Sequence, residues 1–296
     1  CKSFTSHITS LRCLKKSGIM NLDSVTIRNL ELFKPLNGDN KESTLIDVLD
    51  KTITAGGGRK LRRWLMRPLT KIDKIKKRQN ICLELIENLD LNESIKLKLK
   101  NVSDMERILA KLSQFRANPR DVWQLSISLE STNKIKKQIC SFNQKDLLKL
   151  IENLPDLNLL VKQIQITLID NPTNQYKKGG YIRDGFNVEL DKLRQISEQA
   201  SQWMLDYQNQ ERLETKINNL KIKYNRVFGY FIEITKIHQN KVPDNYIRKQ
   251  TLTNAERYFT PELKEFEENF LSASEKIQDL EQKLFTELRE YILVYT

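Results

Sequence analysis

Residues 54–64 read TAGGGRKLRRW, three glycines directly ahead of a cationic run. A loop that cradles phosphate in the G-x-x-x-x-G-K-[S/T] manner needs backbone N–H groups curled around the anion, a Lys that reaches the terminal phosphates and a hydroxyl for the metal. Here Gly58 is followed by Arg59, Lys60 and Leu61, so the hydroxyl is absent and the spacing is wrong. The glycines are expected instead to allow a close-packed entry into a helix on which Leu61, Trp64 and Leu65 are buried. Other catalytic chemistry finds as little support. His7 and His238 stand without a neighbouring Ser, Cys or metal-ligand pattern. Cys1, Cys13, Cys82 and Cys140 are scattered with no C-x-x-C, which suggests neither a zinc site nor a disulfide framework and fits reduced thiols in an intracellular compartment. Glu262, Glu265, Glu267 and Glu268 crowd what reads as a helix start, where negative charge complements the helix dipole.

Charge is the stronger signal. Fifty Lys and Arg against 38 Asp and Glu give a net +12, which favours a polyanionic partner such as nucleic acid or an acidic membrane. The excess is uneven: residues 216–257 hold nine Lys or Arg against three acids, half the net charge in about a seventh of the chain. Within that stretch Lys221, Lys223, Asn225, Arg226, Arg248, Lys249, Asn254 and Arg257 are the candidates for contact with a phosphate backbone, the cations through charge and the asparagines through neutral hydrogen bonds. No recognition helix with an Asn or Arg pair is apparent, and no aromatic ladder of the single-strand type, so a duplex backbone is the better match than a base-reading mode. Blander readings stay open. Lys221 and Lys223 would also serve to solubilise an exposed strand edge, and Glu256 and Arg257 can pair with each other or cap the module. Tyr224, Tyr230, Phe231, Tyr246, Tyr258 and Phe259 read as its core rather than as stacking platforms.

The elements that must position these residues are mostly helical. The 296-residue chain has few glycines and prolines, a mean hydropathy of −0.55 and no run of 18 apolar residues, which argues for long helices and against a membrane span. From Thr44 to Leu160 apolar residues recur at helical spacing, as in Leu45, Val48 and Leu49, then Ile81, Leu85 and Leu89. Ser103 as N-cap with Glu106 forms a capping box ahead of Met105, Ile108, Leu109 and Leu112, on a helix that ends before Pro119. Gly179, Gly180 and Gly185 break the bundle, and a long helix starts near Asn187 with Leu190, Leu193, Ala200, Met204 and Tyr207 along one stripe. A second stripe from Phe266 through Phe270, Ala273, Ile277, Leu280, Leu284 and Leu288 to Tyr291 forms a seam for that first helix. Between them LKIKYNRVFGYFIEI alternates, with Leu220, Ile222 and Tyr224 on one face and Lys221, Lys223 and Asn225 on the other; this is a hairpin. Thr260 and Pro261 start the return helix. The expected fold is therefore a helical core bundle with two long antiparallel helices, about 45 Å each at about 1.5 Å per residue, carrying a small inserted mixed α/β module at their tip. The boundaries are 1–207 for the core and outgoing helix, 208–268 for the module and 269–296 for the returning helix. A start at Cys1 and an end at YILVYT in mid-helix pattern suggest a piece of something longer.

Five blocks taken together, LIDVLDKTITAGGGRKLRRWLMRPL, DMERILAKL with NPRDV, GGYIRDGFNVELDKLR, NRVFGYFIEI and YIRKQTLTNAERYFTPELKEFE, resemble the middle region of the MutS family of DNA mismatch-repair proteins over residues 20–290. The resemblance implies a core domain, two lever helices and a clamp domain between them. It further implies that the clamps of two MutS-type subunits, in a homo- or heterodimer, close around double-stranded DNA through non-specific backbone contacts. A remote ATPase domain would move the levers. The family's mismatch-reading segment and Walker motifs lie outside this sequence, so no cofactor is expected in this chain and no catalysis; ATP and Mg would belong to the ATPase domain of the parent protein. No membrane partner is expected, and the expected location is intracellular, cytoplasm or nucleoid for a bacterial source and, for any other, nucleus or mitochondrion, between which the sequence does not choose. Two rivals stand beside this reading: a helical scaffold whose basic tip binds an acidic protein, and a MutS relative serving recombination.

Overall fold

The computed structural model describes residues 18–36, 44–173, 179–225 and 229–295. It is mostly helical with one small antiparallel sheet, as the patterning implies. Contacts divide it into two compact units, one formed by residues 1–117 with 124–162, the other by 118–123 with 163–296. No helix among the described residues is long and apolar enough to cross a membrane.

The first unit holds the short helices α1 (Ser24–Asn29) and α2 (Leu45–Leu49), then α3 (Ala55–Met66), α4 (Ile72–Glu87), α5 (Leu89–Leu99), α6 (Met105–Ser113), most of α7 (Pro119–Phe142) and α8 (Lys145–Ile151). Its clearest apolar cluster is Leu91, Ile139, Leu147 and Ile151, against which Ile81, Leu85 and Ile95 pack. The start of α8 lacks a side-chain cap of its own; the Glu84 carboxylate on α4 accepts the Asp146 and Leu147 backbone N–H groups, each at 2.9 Å, and so satisfies the orphan donors.

Several local expectations in this unit change. Gly56, Gly57 and Gly58 lie inside the first turn of α3, where the Thr54 hydroxyl accepts the Gly57 N–H at 3.1 Å. Trp64 is not buried: it remains 39 % exposed, its ring contacted by the Arg78 guanidinium rather than enclosed by core. In α2, Leu45, Val48 and Leu49 face solvent while Ile46 is buried, since a five-residue helix is too short for periodicity to define a stripe. Leu89 is exposed as well. The cap of α6 is Asp104, not Ser103; the Ser103 hydroxyl and N–H are engaged by the Ser128 hydroxyl at 2.8 and 3.0 Å, which leaves the Asp104 carboxylate to accept from Arg107 N–H.

The second unit contains α10 (Val188–Thr215) and α11 (Pro261–Leu293), following the end of α9 (Asn158–Thr167). Asn187 caps α10 and Thr260 caps α11, with Pro261 in its first turn, as expected. Arg194 meets Glu281, Trp203 stacks on Phe266 and Tyr207 bonds Thr260, so the two helices run antiparallel. The expected stripe on α11 holds through Ala273 and Leu280. Further on, Leu288 is buried as expected, but Phe285 and Ile292 are buried beside it and Tyr291 is exposed, a drift of the buried face that the 3.6-residue helical repeat produces against a seven-residue one.

The sheet consists of β1 (Lys221–Asn225), β2 (Gly229–Thr235), β3 (Ile247–Thr251) and β4 (Ala255–Phe259) in the order β1-β2-β4-β3, all neighbours antiparallel. A 3-10 turn over Lys236–Lys241 leads out of β2. One face is core: Ile232, Ile234 and Tyr258 join Tyr207, Ile217, Leu220, Tyr246 and Leu263, so the sheet packs on the last turns of α10 and the first turn of α11.

Candidate nucleic-acid interface

Side chains alternate along a strand, and residues opposite one another share a face. Lys221 lies opposite Glu233 and Lys223 opposite Phe231, while Glu233 lies opposite Arg257. Lys221, Lys223, Glu233 and Arg257 therefore stand together on the face turned away from the core. Between Arg248 and Gln250 the ladder slips by a bulge, so Gln250, not Lys249, stands opposite Arg257. Lys249 sits in that bulge with its Nζ 5.2 Å from the Phe259 ring centroid.

Glu233 organises the face. Its carboxylate accepts from Lys223 Nζ at 2.7 Å and from Arg257 Nε at 3.4 Å. The Lys223 ammonium, and next the Arg257 guanidinium, hold the Glu233 carboxyl below its ordinary range. Arg257 also donates from Nη1 to Gln250 Oε1 at 2.8 Å, and its guanidinium lies over Phe231, 4.3 Å from the ring centroid. That stacking explains why Phe231 is only 2 % exposed on the open side of a sheet. Among the described residues this face brings Lys221, Lys223, Lys249 and Arg257 around Glu233, resting on Phe231 and Phe259.

The other candidates are dispersed. Arg248 is on the core-facing side, its Nη1 3.7 Å from Glu256 and its side chain 61 % exposed. Glu256 is buried and accepts from the Tyr258 hydroxyl and from Gln239 Nε2 at 3.4 Å. Burial and then this carboxylate push the Tyr258 phenol up to about 12. Glu256 and Arg257 thus project to opposite faces and do not pair with each other. Asn225 ends β1 opposite Gly229, and Asn254 is exposed in the β3–β4 connection, where its carbonyl accepts Lys236 N–H at 3.2 Å. Arg226 lies outside the described residues. Of the aromatics, Phe231, Tyr246 and Tyr258 are buried, but Tyr224 is 49 % exposed. Gln250 and the hub role of Glu233 were not read from the sequence; the acid opposite Lys221 becomes visible only once the register is known.

A sequence model of the family described as MutS domain III matches residues 25–296, all but the first 24 residues of the chain. This chain belongs to the MutS family. Among its relatives, the DNA mismatch repair protein MutS of Caldanaerobacter subterraneus subsp. tengcongensis is 42 % identical over 291 residues, covering 98 % of this chain and 34 % of that protein. The DNA mismatch repair protein MutS of Clostridium botulinum strain Langeland is also 42 % identical, over 292 residues, covering 98 % and 31 %. This MutS-family chain thus spans about a third of the length of the curated relatives it matches.

Proposed function

We propose that this chain is the core, lever and clamp portion of a MutS-type mismatch-repair protein, and that the outer face of its sheet holds double-stranded DNA by the phosphate backbone. The observation that carries the reading is the common face shared by Lys221, Lys223, Lys249 and Arg257. Cations on a flat sheet, without a protruding helix or bare aromatic platform, are suited to contact sugar-phosphate rails and poorly suited to read base edges. α10 and α11 meet the module at its core-facing side, so a shift of either helix would be felt by the sheet through Tyr207, Leu263 and their neighbours. In the parent protein ATP and Mg would act at another domain and a second subunit would complete the ring, with this portion itself non-catalytic.

The test is titration of a short labelled duplex with the chain and with Lys221→Ala/Lys223→Ala/Lys249→Ala. Losing three phosphate contacts is expected to weaken binding on the order of a hundredfold near physiological salt. Arg248→Ala, on the other face, is expected to change it by less than about threefold. Unaltered binding by a folded triple variant would refute the assignment, as would an acidic protein whose binding the triple alanine variant loses while duplex binding stays the same.

A further inference from the structure

The most cationic stretch of the chain is not in the sheet module. From Arg59 to Arg78 ten Lys or Arg residues stand against a single acid, Asp73. Parts of α3, α4 and α8 there enclose a cavity of about 510 Å³, a volume typical of sites that receive a compact ligand or a large side chain. Its rim carries Lys60, Lys74, Lys77 and Arg78. Among the described residues none of these four is held in an ion pair, whereas neighbouring Arg59 is clamped by Asp104 at 2.8 Å and Glu106 at 2.6 Å.

The floor is of a different character. Trp64, Leu69, Ile81 and Leu150 line it, and Leu150 is 60 % exposed. A half-exposed tryptophan and a bare leucine beneath uncompensated cations call for a partner that is both anionic and apolar. A nucleic-acid backbone would meet the charge but leave the aliphatic floor uncovered. A base would need the Trp64 ring as a platform, and the Arg78 guanidinium already lies 3.9 Å from that ring's centroid, with Lys60 Nζ at 5.8 Å. We infer that this cavity is a docking site for an acidic protein segment bearing a bulky apolar side chain, which seats in the floor while its carboxylates meet the rim. The inference is independent of the duplex reading, since all of its residues lie in the first unit.

The full chain is to be titrated with a labelled peptide of Asp and Glu around a single Phe, and with a twin carrying Ser in place of Phe. Cys82 lines the cavity and is exposed; Cys140 is exposed elsewhere and serves as reference. The Phe peptide is expected to bind about tenfold tighter than its twin, and Lys74→Glu/Lys77→Glu, checked for folding by circular dichroism, to cost about tenfold or more. Saturating peptide should slow alkylation of Cys82 several-fold and leave Cys140 unchanged. Equal binding of the twins or an unprotected Cys82 would overturn the proposal. Protection of Cys82 by duplex DNA instead of peptide would reassign the site to phosphate. Light scattering that showed a dimer converted to monomer by the charge reversal would reassign it to a second copy of the chain.

Discussion

Glu233 exerts two opposed effects on the outer face of the sheet. It neutralises part of the charge of Lys223 and Arg257, which weakens attraction for a polyanion, and it ties β1 to β4 across β2. Glu233→Gln is therefore expected to raise duplex affinity several-fold while lowering the melting temperature, two changes of opposite sign that titration and thermal unfolding read separately. Its depressed folded pKa fixes the pH sign: the carboxylate's stabilisation is present above its ordinary value near 4.5 and is lost as pH falls through the lower folded value. Tyr258 behaves in the opposite way. With its phenol raised from 10.0 to about 12, the contribution is intact below pH 10 and disappears as pH rises through about 12, which phenolate absorbance followed alongside circular dichroism will register. At this scale the faces of Lys221 and Lys223 were legible, because alternation is a property of the local sequence. The face of Arg248 was not. A bulge between Arg248 and Gln250 resets the pattern, and no residue there announces it. Nor does the sequence reveal that Phe231, on the solvent side, is buried by Arg257.

Elements were read best where a chemical cap marks them. Asn187 and Thr260 announce α10 and α11 through bonds each accepts from the N–H three residues on, and Pro261 marks the first turn of α11 by its fixed φ. Ser103 misled because its hydroxyl is claimed by Ser128, 25 residues away, and Trp64 misled because its ring packs against the Arg78 guanidinium and stays 39 % exposed instead of entering a core. Two junctions between elements were invisible for the same reason. Gly229 opens β2 with φ of +67°, and a Cβ there would come within 1.8 Å of Glu267 Oε1 on α11. Gly229→Ala should cost at least about 1–2 kcal/mol from the backbone alone, with further loss from the collision that Glu267→Ala relieves; paired chemical denaturation curves separate the two. Glu281 on α11 is fully buried and accepts from Arg194 Nη2 on α10 at 2.5 Å and from Gly180 N–H at 2.7 Å. Glu281→Ala strands the Gly180 N–H and leaves Arg194 only Asp184 and the Ile182 carbonyl, and is expected to destabilise by about 1–3 kcal/mol, while a double replacement of Arg194 and Glu281 by methionine, which still leaves the Gly180 N–H unpaired, recovers part of that loss. If the double variant is as unstable as the single one, the pair is not the connection between the helices that its geometry describes.

For the whole molecule, composition alone placed the chain among basic, mainly helical proteins, and the proposed function rests on how that charge is distributed. Two cationic regions emerge with different surroundings. The sheet face offers lysines over covered aromatics, whereas the rim near Trp64 offers them over open aliphatic surface. The first was legible because its charges fall on alternating strand positions; the second needed α3, α4 and α8 to be brought together. If the sheet face alone grips the duplex, binding should be insensitive to base sequence, and log affinity should fall linearly with log salt. Each phosphate contact removed should flatten that line by about 0.9. The decisive measurement is this slope for the unaltered chain, for Lys221→Ala/Lys223→Ala/Lys249→Ala, and for Lys74→Glu/Lys77→Glu. The expected result is a slope shallower by about 2.7 in the triple alanine variant and unchanged in the charge-reversed one. A slope that stays the same without the three sheet lysines, or that collapses with the pair on α4, would contradict the account.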